Sequence, residues 1–340
     1  MFRRLSIVST MIIFAFVSAA SGCSSATNST AVPQNVAAEM STSPQSLGSW
    51  TTKAPMPTGR QDLAAGVIDG TLYAVGGCGP YCNGQPFNTV EAYDAATDTW
   101  STKAAMPTAR AGLAIGVING ILYAIGGYGG FTEHDVGYSN CCEVASVEAY
   151  DPSTDSWATE APMPTARAFL AVCVINGILY AVGGRSSIGD VNTLEAYDPS
   201  TNTWTKKRVM PTPRWGLAAS VIDGKLYAMG GYNDNGAMST VEAYNPARDR
   251  WSTKAPMPTC RKYLASAELK GRIYAIGGHC GAYFAAVDAY DPATNTWSSK
   301  APMLTKREGL AAGVVKGILY AVGGDHSRAP AMTTVEAFTL

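Results

Sequence analysis

Short apolar runs alternate with glycine-rich turns along most of the chain, and the same order returns six times after residue 48. In the first unit, the apolar run 63–68 is followed by Asp69-Gly70, the run 71–75 and a Gly-Gly pair. Such runs, bounded by turn residues, predict β-strands. Asp-Gly between two of them predicts a two-residue hairpin, because both turn positions need a positive φ. The pattern therefore predicts many short antiparallel strands.

Four markers recur in register with these strands. The first is an arginine, at Arg60, Arg110, Arg167, Arg214, Arg261 and Arg307. The others are a Gly-Gly pair, a Glu/Asp-Ala-Tyr/Phe triplet and a tryptophan. The arginines are spaced by 50, 57, 47, 47 and 46 residues. A period of this length, with several strands in each unit, predicts the blades of a β-propeller.

The order Arg, apolar run, Leu-Tyr-Ala-x-Gly-Gly, Val-Glu-Ala-Tyr-Asp-Pro and a spaced Trp resembles the kelch repeat across residues 48–340. The resemblance implies an all-β fold, a six-bladed kelch β-propeller. The sixth unit ends after Glu336-Ala337-Phe338 without its tryptophan, whereas Trp50 precedes the first arginine. We therefore predict that the N-terminal strand completes the last blade, which removes open sheet edges and makes residues 48–340 one domain.

The N-terminus predicts export. Residues 1–22 contain Arg3 and Arg4, an apolar stretch and small residues, which is the pattern of a secretory signal peptide. The following Cys23 lies in a segment that resembles a bacterial lipobox, which implies a lipid-anchored protein of the periplasm or cell surface. Ordinary cleavage nearby, leaving Cys23 as a free thiol, is the alternative. Residues 23–47 are rich in Ser, Thr, Ala and Pro and predict a flexible tether.

Composition excludes some classes of function. The formal net charge is −1 and only 15% of residues are charged, so nothing indicates a nucleic-acid partner. No phosphate-binding glycine loop, GxSxG or HExxH motif occurs, so we predict no cofactor and assign no catalytic residue. The only predicted membrane contact is the lipid anchor, and we expect a monomer.

The loops between the second and third strands of each unit vary in length, whereas the other turns repeat almost unchanged. Because function is usually carried by variable loops on a rigid scaffold, we expect the ligand on this face. The six arginines begin the innermost strands at the same face, so we expect them to ring the channel mouth and bind an anionic ligand. An arginine repeated in every blade is equally suited to a structural role.

Aromatic and imidazole side chains on this face extend the predicted site. Aromatic rings stack on sugars or anchor a protein partner. The candidates are Tyr81, Tyr128, His134, Trp215, Tyr232, His279 and His326. Acids on the same face, Asp62 and Asp325 among them, dilute its positive charge. The acid of the triplet recurs once per blade, so we interpret it as a structural hydrogen-bond acceptor.

Export permits disulfides. Cys78 and Cys82 share one loop, and antiparallel pairing brings Cys260 beside Cys280. Cys141 and Cys142 either form a vicinal disulfide with each other or bond to other cysteines. We interpret Cys173 as a buried free thiol. His279 and His326 match no metal-ligand spacing, so we predict no metal site.

The leading hypothesis is a non-catalytic binding or scaffold module that recognises a protein, anionic or carbohydrate ligand through the loop face. The alternative, implied by resemblance to bacterial kelch proteins that act on acidic sugars such as sialic acid, is a sugar isomerase or mutarotase. Resemblance to the copper-radical sugar oxidases would require a Tyr-His dipeptide, and the sequence has none.

Overall fold

A computed structural model describes residues 47–82, 85–129, 143–326 and 331–340. These residues form six four-stranded antiparallel sheets, which are the blades of a propeller. The innermost strand of each blade contacts the innermost strands of the two neighbouring blades, so the six strands close a ring around a central channel. The predicted six-bladed kelch propeller is confirmed.

Each blade uses its strands in chain order from the channel outward, apart from the last. The innermost strands are β2 (Ala64–Ile68), β6 (Ala114–Ile118), β10 (Ala171–Ile175), β16 (Ala218–Ile222), β22 (Ala265–Leu269) and β26 (Ala311–Val315). The second strands are β3 (Thr71–Val75), β7 (Ile121–Ile125), β11 (Ile178–Val182), β17 (Lys225–Met229), β23 (Arg272–Ile276) and β27 (Ile318–Val322).

The third strands are β4 (Val90–Asp94), β8 (Val147–Asp151), β14 (Leu194–Asp198), β20 (Val241–Asn245), β24 (Val287–Asp291) and β28 (Val335–Thr339). The outer strands are β5 (Thr99–Lys103), β9 (Ser156–Glu160), β15 (Thr203–Lys206), β21 (Arg250–Lys254), β25 (Thr296–Lys300) and, in the last blade, β1 (Ser49–Thr52). Two small hairpins lie in the second-to-third-strand loops, β12 (Arg185–Ser186) with β13 (Gly189–Asp190), and β18 (Tyr232–Asn233) with β19 (Gly236–Ala237). A 3₁₀ turn spans Pro80–Cys82.

The turn chemistry explains why each blade pairs in this register. Asp69 and Gly70 have φ values of 48° and 81°, as a type I′ turn requires, and they join β2 to β3 with Ile68 opposite Thr71. Burial alternates along β2, whereas β3 is almost wholly buried and the outer strand β5 is largely exposed. Burial is therefore greatest in the second and third strands of the blade and least in the outer strand.

Among the described residues, six hydrophobic core clusters are each shared by two neighbouring blades, and a seventh, smaller cluster near the mouth joins residues of the first three blades. Between the first two blades, for example, Tyr73 and Val75 pack with Leu113, Leu122 and Tyr150. A sheet covered on both faces has apolar residues on both, which explains the continuous apolar runs of the sequence. No blade can bury its side chains without both neighbours.

The N-terminal strand closes the ring as predicted. β1 pairs with β28, and Trp50 lies opposite Phe338 with ring centroids 5.2 Å apart. The Trp50 indole Nε1 donates a hydrogen bond of 2.8 Å to the carbonyl oxygen of Ala301. The last blade is therefore built from both ends of the propeller sequence. Among the residues that the structure describes, no helix is long and apolar enough to span a membrane.

Candidate ligand-binding site

The six repeated arginines are buried and do not line the channel mouth. Every one of them has no exposed surface. Arg60 donates to the carboxylate of Glu91 at 2.7 Å and to the carbonyl oxygens of Gly76 and Thr89. Equivalent ion pairs join Arg110 to Glu148, Arg167 to Glu195, Arg214 to Glu242, Arg261 to Asp288 and Arg307 to Glu336.

The expectation that these arginines bind an anionic ligand is therefore wrong, and their structural role is the correct alternative. Each guanidinium crosses its own blade and holds the second and third strands through the triplet acid. Desolvation lowers the pKa of Arg60 to about 10, although Glu91 opposes this shift, so the side chain stays charged at neutral pH. A buried charge of this kind persists because a carboxylate neutralises it and carbonyl oxygens accept hydrogen bonds from its two terminal nitrogens, although Nε of Arg60 has no partner among the described residues.

The residue two positions after each arginine reaches the mouth instead. These six residues, the mouth ring, are Asp62, Gly112, Phe169, Gly216, Tyr263 and Gly309. Each has a positive φ, between 52° and 60°. Their backbone amides and carbonyls form a closed ring of six hydrogen bonds around the channel, from 2.7 to 2.9 Å long. The ring fixes the backbone identically in every blade and leaves the side chain open to variation.

Side chains and glycines alternate around the mouth ring. A Cβ atom on Gly112 would lie 3.0 Å from the ring of Phe169, and one on Gly309 would lie 2.9 Å from Oδ1 of Asp62. A Cβ atom on Gly216 would approach Tyr263 at 3.4 Å. Gly112 and Gly309 therefore make room for the side chain of the next blade, whereas a Cβ atom on Gly216 would be in ordinary contact, and three side chains occupy a ring of six positions.

Aromatic rings and cations gather on the third, fourth and fifth blades. We call Phe169, Trp215, Tyr232, Tyr263 and Lys262 the aromatic–cation cluster. The Trp215 ring lies 5.5 Å from that of Phe169, 5.5 Å from that of Tyr232 and 5.3 Å from that of Tyr263. The Lys262 ammonium lies 4.8 Å from the Tyr232 ring centroid and 5.2 Å from that of Tyr263. All five side chains are only partly buried, so the cluster offers rings and charge to a ligand.

Carboxylates gather on the opposite side of the mouth, on the first and sixth blades. We call Asp62, Glu308 and Asp325 the acidic cluster. Desolvation, with the charges of Glu308 and Asp325, raises the pKa of Asp62 to about 7. Desolvation also raises the pKa of Glu308 to about 7, and Asp325 adds to that shift while Lys262 opposes it. Burial raises the pKa of Asp325 as well.

The cysteines pair around the same face. The structure joins Cys78 to Cys82, with Cα atoms 5.1 Å apart, and Cys260 to Cys280, with Cα atoms 5.9 Å apart. Cys173 is a buried free thiol, and burial raises its pKa to about 12. The first disulfide lies beside Asp62, whose Oδ2 is 3.4 Å from Sγ of Cys82.

The remaining predicted residues divide into three groups. Trp215 and Tyr232 belong to the aromatic–cation cluster, and Tyr128 is buried beneath it against Phe169. His279 packs at 5.0 Å on Tyr283, and burial followed by the charge of Lys262 lowers its pKa. His326 adjoins Asp325 and is partly buried. His134, Cys141, Cys142 and Cys23 lie outside the described residues, and only the backbone of Tyr81 is described.

The opposite face carries a second depression. A groove of about 510 Å³ between the second and third blades is lined by repeated turn residues, including Asn119, Asn176 and Asp198. The Asp198 carboxylate already accepts hydrogen bonds from the backbone amide and hydroxyl of Ser200. The Asp198 carboxylate is therefore engaged within its own turn.

Comparisons with known proteins agree with the repeat. The KLHDC2/KLHL20/DRC7 Kelch-repeats domain matches residues 150–324, and the Kelch motif matches residues 59–107 and 109–164. The chain belongs to the kelch-repeat family. Kelch propellers generally mediate protein interactions, so the family is consistent with a binding or scaffold module.

Individual relatives are more distant. A mouse protein, the Influenza virus NS1A-binding protein homolog, is 44% identical over 54 residues, which are 16% of this chain and 8% of that protein. The chain therefore spans only a small part of that relative. The solved structure of a protein named YjhT superposes with a TM-score of 0.71 and 18% identity, covering 84% of this chain and 96% of that one. That likeness supports the propeller fold.

Sequence analysis missed most of the residues that line the mouth as a site. It did not single out Phe169, Lys262 or Glu308, and it treated Asp62 only as a charge that dilutes the arginines. A usable signal was present: the position two residues after each arginine changes from Asp to Gly to Phe to Tyr while its flanking Arg and Leu stay fixed. Only the closed hydrogen-bond ring shows that these six positions meet.

Proposed function

We propose that this protein is a non-catalytic binding module of the cell envelope, and that it recognises its ligand through the second-to-third-strand loop face. The observation that carries the proposal is the partly exposed aromatic–cation cluster at the centre of that face. Tryptophan and tyrosine dominate the binding energy of interfaces, because they remove large apolar areas from water while keeping a polar group. The kelch family supports a protein as the ligand, and the aromatic rings also suit a carbohydrate.

The N-terminal pattern supports the envelope location. A charged start, an apolar stretch and Cys23 are what a lipid-anchored exported protein would need. Mass spectrometry of the mature N-terminus tests this part of the proposal. A diacylglycerol adduct on Cys23 supports it, whereas a mature chain that retains residues 1–22 contradicts it.

Binding itself is tested with the propeller, residues 47–340, presented to arrayed glycans and to cross-linking with envelope proteins. Ligands recovered from either screen are titrated against Trp215→Ala. Loss of a hot-spot tryptophan weakens binding by about thirtyfold or more. Ile188→Ala is the matched control, because Ile188 is a 90% exposed apolar residue in a loop of the same face. Equal losses in the two variants, or none, would contradict the role of the aromatic–cation cluster.

A second candidate function, an isomerase or mutarotase of acidic sugars, is favoured by one observation. Asp62 and Glu308 both have pKa values raised to about 7, which suits general acid–base catalysis at neutral pH. The buried arginines weigh against it, since none is available for a sugar carboxylate. NMR exchange rates of N-acetylneuraminate anomers test this candidate. Acceleration abolished by Asp62→Asn would favour the enzyme over the binding module.

A further inference from the structure

The centre of the mouth contains a small cavity of about 80 Å³. The side chains of Asp62, Phe169 and Tyr263 form its walls, together with the three glycines of the mouth ring. A ring of six leucines, one from each blade, forms its floor: Leu63, Leu113, Leu170, Leu217, Leu264 and Leu310. The cavity therefore combines an apolar floor with two aromatic rings and one carboxylate.

The size of the cavity restricts its occupant. The cavity is small and opens to solvent at the mouth. A lysine side chain has five heavy atoms beyond Cα and an arginine side chain has seven, whereas a pyranose with its hydroxyl groups has about twelve. A single narrow side chain therefore reaches the leucine floor more easily than a sugar ring does.

The charges around the cavity favour a cation. Asp325 is 8% exposed, and its Oδ1 has no hydrogen-bond partner among the described residues. Oε2 of Glu308 is also buried without a partner. The neighbours of the Asp62 carboxylate are Cys78 and Cys82, whose sulfurs carry no proton when they are bonded to each other. Asp62 lines the cavity, and the charges of Glu308 and Asp325 lie close enough to raise its pKa, so a positive group beside Asp62 would relieve the repulsion among the three carboxylates.

A metal ion fits this arrangement less well than an organic cation does. Among the described residues, the group of possible metal ligands within 4.8 Å of one another is Asp62 with Cys78 and Cys82, and the two sulfurs are joined as a disulfide. The acidic cluster does not gather its oxygens that closely. An alkylammonium or guanidinium group can span wider spacing and place its carbon chain on the leucine floor.

An ammonium group of the chain itself already lies over aromatic rings of the mouth. The Lys262 ammonium lies over Tyr232 and Tyr263 on the outer side of the mouth, at 4.8 and 5.2 Å from the ring centroids. Phe169 and Tyr263 present further ring surface to the central cavity. A cation between these rings and Asp62 would combine a cation–π contact with an ion pair.

We propose that the central cavity binds the lysine or arginine side chain of a protein partner, with its carbon chain over the leucine floor and its cationic end between Asp62 and the Phe169 and Tyr263 rings. The proposal rests on the proposed function, because it names the chemistry that the binding module recognises. The proposed ligand group is cationic, whereas the sequence predicted an anionic ligand from arginines that are in fact buried.

Binding should depend on pH because Asp62 must be ionised to hold the cation. The titratable groups around it are Glu308 and Asp325 on the last blade, Lys262 beside Glu308, His326 beside Asp325, and Tyr263 in the mouth ring. The pKa of Asp62 is raised to about 7 in the free protein. The ionised fraction therefore rises about tenfold between pH 6 and pH 8, and affinity should rise with it.

The test titrates residues 47–340 with Nα-acetyl-lysine amide and Nα-acetyl-arginine amide and follows the backbone amide NMR signals of Gly112 and Gly216. Nα-acetyl-norleucine amide is an uncharged probe of similar length, and glucosamine is the amino-sugar probe. Single side chains bind with dissociation constants in the millimolar range, so the titration extends to about 50 mM. We expect saturable shifts with the two cationic probes and about tenfold weaker binding at pH 6 than at pH 8.

Asp62→Asn should weaken the binding of the cationic probes at least tenfold at pH 8. Asparagine has a similar size and accepts the positive φ of this position, but it lacks the charge. Asp234→Asn is the control, since Asp234 is an exposed acid on another loop of the same face. Absence of shifts, or equal binding of the norleucine probe, overturns the proposal. Binding of glucosamine but not of the lysine probe also overturns it, in favour of a carbohydrate.

The proposed function can survive that failure. A partner whose binding requires Trp215 but is unaffected by Asp62→Asn would keep the aromatic–cation cluster as the binding surface and reject the central cavity as a cation site. A partner that is insensitive to both substitutions would reject the two proposals together.

Discussion

Two rings of residues, two positions apart in the sequence, behave in opposite ways. The arginine ring is identical in all six blades and has no exposed surface. The mouth ring varies among Asp, Phe, Tyr and Gly and lines the central cavity. The same loop thus carries a structural residue and, two residues later, a residue that a ligand can reach.

The difference arises from what each position must satisfy. Each arginine has the same local role. It neutralises a buried acid and donates hydrogen bonds to carbonyl oxygens of its own blade. A mouth-ring residue must only adopt a positive φ and complete the backbone ring, so its side chain is unconstrained wherever the neighbouring glycine leaves room. Repetition in this fold therefore marks the scaffold, and departure from repetition marks the candidate site.

The largest expected effect comes from removing the outer strand that completes the last blade, on which both rings depend for a closed propeller. A chain that begins at residue 54 lacks β1, which would expose β28 and remove the Trp50–Phe338 contact. Because the last blade shares a core cluster with each of its two neighbours, we expect loss of the cooperative unfolding transition. Circular dichroism during urea unfolding measures this. The chain that begins at residue 47 is the control, and an equal transition midpoint in the two chains would contradict closure through β1.

The next largest effect distinguishes a buried arginine from an exposed one. Arg167→Ala leaves Glu195, which has no exposed surface, as an uncompensated charge, so we expect a loss of about 3–5 kcal/mol in the free energy of unfolding. Arg185→Ala removes an exposed arginine from the next loop and should cost less than about 0.5 kcal/mol.

Urea unfolding of the two variants gives both values. A similar small loss for Arg167→Ala would mean that its guanidinium is not essential to the blade, and the contrast between the two rings would then lose its physical basis. Ligand binding should be retained in any Arg167→Ala protein that remains folded.

The fold followed from the sequence because its determinants are local and repeated. Asp69-Gly70 specifies a hairpin by itself, and the tryptophan missing after Phe338 locates the closing strand. Burial of the arginines did not follow, because an arginine at the start of an inner strand can point outward to the channel or across its own blade. Its partner, Glu91, lies 31 residues away, and their contact depends on the packing of three strands.

The sequence indicated which face carries the variable loops, but not which residues line the mouth. Variable loop lengths predicted this face as the binding face, which stays a prediction, and Trp215 and Tyr232 were among the residues named there. Asp62 and Glu308 are 246 positions apart, and they meet only because the last blade closes onto the first. A raised pKa arises from this juxtaposition and from burial, neither of which a residue type alone reveals.

A third prediction compares two kinds of carboxylate. Asp98, in a repeated turn, accepts a 2.6 Å hydrogen bond from the Tyr93 hydroxyl, which lowers its pKa below 3.8. Asp62 has a folded-state pKa raised to about 7, so the folded protein binds a proton that the unfolded chain has lost between about pH 4 and pH 7. The stabilisation by the protonated Asp62 is therefore full below about pH 4, is lost progressively as pH rises from about 4 to about 7, and does not change further above that.

Between pH 5 and pH 8, the free energy of unfolding of the native chain should fall by about 1–3 kcal/mol relative to that of Asp62→Asn. This range allows for the partial exposure of Asp62. Urea unfolding at both pH values measures the difference between the chains. Comparing chains cancels the contribution of His279, whose lowered pKa acts in the opposite direction. Asp98→Asn should show no such change in this range, because the stabilisation by Asp98 is lost only below about pH 4. A flat difference for Asp62→Asn would contradict the burial of charge at the mouth.

The smallest effect separates the two reasons why glycine occupies half of the mouth ring. Gly112 and Gly224 have φ values of 58° and 65°, so alanine at either position costs about 1–2 kcal/mol of backbone strain. A Cβ atom on Gly224 meets nothing within 4 Å, whereas one on Gly112 meets Phe169 at 3.0 Å. Gly112→Ala should therefore cost about 1 kcal/mol more than Gly224→Ala in the free energy of unfolding, and it should displace the Phe169 ring from the cavity. Equal costs, with unchanged ring-current shifts around Phe169, would mean that the alternation of glycine and side chain reflects backbone conformation alone. A larger cost for Gly112→Ala would mean that the three side chains of the mouth depend on the glycines between them.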